Sequence, residues 1–185
     1  PDLLTLLDAS TTTSTNPVDI KGFTWTSAGI IEGQVVSHVV EDDIQSWDLS
    51  SACFRTSSRL VLGDSYTLFY YWKPKQYEGP SRRFLHQGGT YYETWASTDD
   101  NNNLGFWTGE NNNLGFWTEN RNSDDDNLVS GFKETGYTIA SNIWQTLIVV
   151  GVATNAENGI GTSTYYVDGL QAGTSLSSVA SRDTT

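Results

Sequence analysis

Residues 101–108 read Asn-Asn-Asn-Leu-Gly-Phe-Trp-Thr, and residues 111–118 read the same eight again. A period of ten is too short for a solenoid repeat or a propeller blade. It fits one strand and one turn, taken twice. The stretch from Leu104 to Thr108 is therefore expected to pair antiparallel with the stretch from Leu114 to Thr118, with aromatics opposite each other. Such a ribbon would present two indoles, Trp107 and Trp117, and stacked aromatics suit the C–H face of a sugar ring. The plain alternative is that one indole fills a core and the other caps a sheet edge. A recent duplication leaves an identical copy, and so does an error in assembling a sequence; both readings stay open here.

The rest of the chain repeats the theme of strand, turn, strand. Ile20 to Thr26 and Ile30 to Val40 are rich in β-branched and aromatic residues, with Gly29 and Gly33 as punctuation. Ser58 to Leu62 is short and apolar. Tyr66 to Lys73 is the strongest strand, with Leu68, Tyr70 and Trp72 on one face and Phe69 and Tyr71 on the other. Aromatics on both faces predict a central position in a sheet, and Pro74 ends the strand. Arg82 to Gln87 and Thr90 to Ala96 read as a hairpin around Gly88-Gly89. Trp144 to Ala153 reads as a buried strand. Thr162 to Val167, Asp168-Gly169 and Leu170 onward read as a second hairpin, since Asp-Gly suits a type I′ turn. No helical stripe longer than two turns occurs. The expected fold is all-β, an antiparallel sandwich or jelly roll.

The chain has 185 residues, of which 37% are hydrophobic and 12% aromatic. That supports one domain with a sizeable core, residues 20–185. Residues 1–19 read as a peripheral segment: a first strand or helical turn, then a Ser/Thr-rich linker that would accept O-glycans in a secreted protein. Asn-x-Ser/Thr acceptors are absent.

Acidic residues outnumber basic ones by 22 to 10, for a net charge of −12. That field disfavours nucleic acid and anionic membrane surfaces as partners. The longest apolar run, Leu147 to Val150 and on to Ala153, has strand length, far short of the ~18 residues of a membrane span. Cys53 is the one cysteine, so no intrachain disulfide forms; a lone thiol is a small buried hydrophobe or an interchain partner. The chain contains no Met, so the sequence reads as starting inside a longer precursor or as a piece of one.

Catalytic patterns are missing. No G-x-S-x-G elbow, H-E-x-x-H, paired Cys or phosphate loop occurs, and His38 and His86 are the only histidines. Glu41-Asp42-Asp43 lacks the further carboxylate at strand alternation that a jelly-roll glycosidase needs. The expectation is a non-enzyme. Two weaker features remain. Asp124, Asp125 and Asp126, with Asp99 and Asp100, form an acidic group able to surround calcium, the candidate cofactor, although the spacing is no EF-hand and acidic runs are commonly solvated loops. Lys73, Lys75, Arg82 and Arg83 form a small basic group, suited to an anionic glycan or acidic partner, or simply to hairpin ends.

The order of motifs resembles a known family. Y-T-L-F-Y-Y-W-K-P (66–74) and R-R-F-L-H-Q-G (82–88) are similar to the opening strands of laminin-G-like, concanavalin A-like jelly rolls. L-G-F-W-T-E-N (114–120), G-F-K-E-T-G-Y-T-I (131–139), W-Q-T-L-I-V-V-G (144–151) and G-T-S-T-Y-Y-V-D-G (161–169) follow in family order. The resemblance spans roughly residues 20–175. It implies an antiparallel sandwich and, in function, a lectin, a glycosidase, a receptor-binding module or a spacer. The family's calcium ligands do not map onto matching positions. The family's sandwich also continues for two or more strands past the Val-Asp-Gly hairpin, so the expected sandwich lacks its C-terminal strands: the chain is truncated, or a neighbouring subunit completes the sheet.

Two functions follow as expectations. The first is a non-catalytic lectin-like module that binds a glycan or a protein surface through Trp95, Trp107, Trp117 and Tyr91. The second is a structural subunit of a larger assembly that uses the fold as spacer or clamp. Composition and family habit place either outside the cell or in a secretory or organelle lumen.

Overall fold

The computed structural model describes residues 8–10, 16, 25–29, 35–49, 52–56, 65–74, 82–87, 102–108, 113–120, 131–155 and 160–177. Among them the regular elements are β-strands, all paired antiparallel, with no helix. No helix among the described residues is long and apolar enough to cross a membrane. The chain forms two compact units, residues 1–60 and 61–185, whereas the sequence reading sets its boundary after residue 19.

The first unit holds β1 (Trp25–Gly29), β2 (Ser37–Glu41), β3 (Ile44–Asp48) and β4 (Ala52–Thr56). β1 pairs with β4 and β2 with β3. Gly29, expected as a break, is the last residue of β1 and pairs with Ala52. Glu41 pairs with Ile44 across Asp42 and Asp43, whose φ angles are 54° and 61°. Two positive φ values make this a type I′ hairpin, which aspartate tolerates. Buried Val36 donates its N–H to Ser27 Oγ at 2.6 Å, tying the approach to β2 onto β1. Trp47 of β3 meets Phe54 of β4 edge to face at 5.2 Å.

The second unit holds β5 (Ser65–Trp72), β6 (Arg82–Gln87), β7 (Asn102–Thr108), β8 (Asn113–Asn120), β9 (Gly131–Thr138), β10 (Gln145–Asn155), β11 (Ile160–Val167) and β12 (Leu170–Gln171). They form two sheets, in the orders β12-β11-β10-β5 and β6-β7-β8-β9. Alternation decides which face of the first sheet goes inward. Leu147, Val149, Tyr165 and Val167 are buried, with Leu68 and Tyr70 packed against them. They lie in cross-strand rows: Tyr70, Leu147 and Val167 in one, Leu68, Val149 and Tyr165 in the next. Leu114 of β8 and Ile139 beyond β9 close the same core from the second sheet. Burying each such side chain stabilises the fold by about 1.5–3 kcal/mol. The Tyr165 hydroxyl crosses the core to donate to the Gly115 carbonyl at 3.1 Å.

One expectation changes. Among the described residues β5 ends its sheet rather than standing at its centre, with β10 as its paired strand, and only one of its aromatic faces meets the core. Phe69 and Tyr71 on the other face are 62% and 52% exposed. β6 pairs with β7, and its expected hairpin partner 90–96 lies outside the described residues, as do 2–7 and 58–62. The repeats and the Asp168-Gly169 hairpin take their expected forms: Phe106 pairs with Phe116, and the turn residues have φ of 49° and 81°.

Candidate recognition surface

The outer face of the sheet β12-β11-β10-β5 is set by the residues that alternate with the core. Thr67, Phe69 and Tyr71 come from β5, and Thr146, Ile148 and Val150 lie opposite them on β10. Tyr166 and Thr164 continue the rows on β11, and Gln171 on β12. One row therefore runs Phe69, Ile148, Tyr166, Gln171 across four strands.

Two properties set this face apart. First, no residue of the four strands is charged, in a chain of net charge −12. Second, the face is aromatic and open. Tyr71 stacks on Trp144, with ring centroids 5.3 Å apart and planes 22° from parallel. Phe69 stands beside Tyr71 and is 62% exposed. Strand geometry puts Phe69 about 7 Å from Tyr71 along β5 and about 10 Å from Tyr166 across two strand spacings. Threonine hydroxyls fill the intervals; that of Thr146 donates to Asp168 and that of Thr164 bonds Ser175, and each keeps a lone pair able to accept a further hydrogen bond. Such a face can stack on apolar ring faces and bond to hydroxyls.

The edge of this face is fixed by the type I′ turn. Asp168 Oδ1 accepts from the Thr146 N–H at 2.8 Å and from Thr146 Oγ1 at 3.2 Å, while the Asp168 N–H donates to the Thr146 carbonyl at 3.1 Å. The far edge is closed by residues after β12: Leu176 bridges Ser163, and Thr164 Oγ1 lies 2.8 Å from Ser175 Oγ.

The residues picked from sequence are distributed differently. Trp107 and Trp117 occupy positions on one face of the β7–β8 ribbon, opposite Gly115 and Gly105 in register, and out of phase with buried Leu114. Trp95, Tyr91, Asp99, Asp100, Asp124, Asp125 and Asp126 lie outside the described residues. Among the described residues, no group of three or more His, Cys, Asp or Glu side chains is placed to hold a metal ion. The sequence reading misses Tyr71, Trp144, Phe69 and Tyr166 as a group. Its available signal is the run of strands without charge in an otherwise acidic chain.

No family model matches the chain, and no curated protein or solved structure matches it either.

Proposed function

We propose that the chain is a non-catalytic, lectin-like recognition module of the concanavalin A-like jelly-roll kind, which binds an uncharged glycan on the outer face of β5, β10 and β11. The observation that carries this reading is the charge-free strand face with exposed Phe69 and the Tyr71–Trp144 stack. The C–H faces of sugar rings pack on aromatic rings, and sugar hydroxyls exchange hydrogen bonds with threonine and glutamine. The acidic balance of the chain repels sulfated or carboxylated glycans at long range, which favours neutral ones. Such a module works outside the cell or in a secretory lumen, where glycans are displayed.

Equilibrium binding to a panel of neutral and sulfated oligosaccharides tests the reading. Neutral members should bind. Phe69→Ala and Tyr71→Ala should each weaken binding about 5–30-fold, matching about 1–2 kcal/mol per stacked ring. Val40→Ala, at an exposed site of the other unit, should change nothing. Binding of no neutral glycan, or wild-type affinity in both aromatic variants, overturns the proposal. A protein bound at fixed stoichiometry and released by the same two variants would point instead to the structural-subunit reading.

A further inference from the structure

The register of the duplicated ribbon has a property that the repeat alone does not require. Equivalent residues of the two copies are ten apart, and β7 pairs with β8 about the equivalent pair Phe106↔Phe116. Within 104–108 and 114–118 every other pair is then matched by a twin, while Asn102↔Asn120 and Asn103↔Glu119 lie beyond the symmetric stretch. Gly105↔Trp117 is mirrored by Trp107↔Gly115, and Leu104↔Thr118 by Thr108↔Leu114. A local twofold axis runs between positions 106 and 116. The segment Leu-Gly-Phe-Trp-Thr is therefore self-complementary when antiparallel. The pairs that residues 104–108 make with 114–118 are, residue for residue, those that 104–108 would make with 104–108 of another molecule.

The outer edges of both strands are already taken, β7 by β6 and β8 by β9. Only the seam between them can open without giving up other pairs. We infer that this seam is an exchangeable isologous contact whose partner is a second copy of this chain. When the connection 109–112 opens, β7 pairs with the partner's β7 and β8 with the partner's β8, about the same twofold axis. The orders β6-β7-β7-β6 and β9-β8-β8-β9 result, and no residue pair within 104–108 or 114–118 changes in kind. Isologous pairing of this sort closes on itself as a dimer. The short connection gives the intrachain pair an effective concentration in the millimolar range. Exchange therefore wins only when chains refold together at high concentration, and it reverses slowly once strands are locked.

The test places a thiol on the axis. In a Cys53→Ser background, which removes the one native cysteine, Phe106→Cys faces itself only in the exchanged dimer. Directly opposed strand residues have Cα atoms about 4.5–5.5 Å apart, within disulfide range. Refolding at increasing concentration followed by oxidation should give a 106–106 linked dimer. Its fraction should rise with concentration, to several-fold above that of exposed Val40→Cys. Phe106→Cys/Phe116→Cys at low concentration should close an intrachain bridge. Dimer no greater than the Val40→Cys background, with that intrachain bridge formed, overturns the exchange and leaves the register standing. A parallel arm uses the unsubstituted chain, so that no variant need fold. Sedimentation after refolding at high concentration should show a slowly reverting dimer; monomer at every concentration also overturns the proposal.

Discussion

The ring of Tyr66 lies over the backbone of Gly151, its register partner: a β-carbon at residue 151 would sit 2.6 Å from the phenol oxygen and closer still to the ring. Glycine is there to admit the ring, since its φ is not in the left-handed region. Gly151→Ala should therefore destabilise the fold by about 2–3 kcal/mol through overpacking, read as a lower urea midpoint. Gly151→Ala/Tyr66→Phe, which leaves the ring in place, should recover little of the loss.

Gly173 and Gly169 separate two reasons for glycine. Both have positive φ, 73° and 81°. A β-carbon at 173 would meet the Thr135 carbonyl group of β9, with its carbon 2.7 Å away, whereas at 169 nothing lies within 4 Å. Gly169→Ala should cost about 1–2 kcal/mol from backbone strain alone. Gly173→Ala adds a backbone clash and should cost at least twice as much. Equal losses in thermal unfolding would contradict the packing of 172–176 against β9.

Burial, with Tyr66 nearby as the smaller cause, pushes the phenols of Tyr70 and Tyr165 well above the ordinary tyrosine value. Above about pH 10 the unfolded chain loses these protons while the folded chain keeps them. Stability should thus be insensitive to both phenols below that pH and fall as pH rises beyond it. The slope is about 1.4 kcal/mol per pH unit for each phenol. Urea titrations across this range read the slope, and Tyr165→Phe should remove about half of it.

At neutral pH, Tyr165→Phe deletes the bond that reaches from β11 to the Gly115 carbonyl. The expected cost is about 1–2 kcal/mol, since an oxygen in the core loses a donor. Amide exchange in β8 should accelerate more than in β2, which lies in the other unit.

Asp168→Ala should cost about 1–2 kcal/mol. It removes the acceptor for the Thr146 N–H and places alanine at a φ of 49°. Asp168→Asn keeps the acceptor and the left-handed tolerance, so it should recover most of the stability.

These cases mark where the sequence is readable. The Asp168-Gly169 hairpin and the paired repeats are local: turn chemistry and identical neighbours specify them within twenty residues. The two faces of β5 are equally plain from alternation. Which face is inward is not, because that depends on Leu147 and Val149, far along the chain. The same pairing brings Tyr71 to Trp144, so the candidate surface becomes visible only once β5 and β10 are joined. Asp42-Asp43 makes its hairpin without glycine, and for that reason reads as loop. Aromatic content points to Trp95, Trp107 and Trp117, yet by itself it carries no information about burial.

The distance along the chain between Trp72 and its partner Gln145 also has a meaning in time. Among the described residues, β10 is the only strand that pairs with β5. During synthesis at ~5–20 residues per second, β5 leaves the ribosome several seconds before β10 exists. For that interval its two aromatic faces and both hydrogen-bonding edges are exposed to solvent. Nascent chains of this protein should therefore depend on chaperones until the Trp144 segment emerges, and translation pauses placed between the two strands should lower the soluble yield.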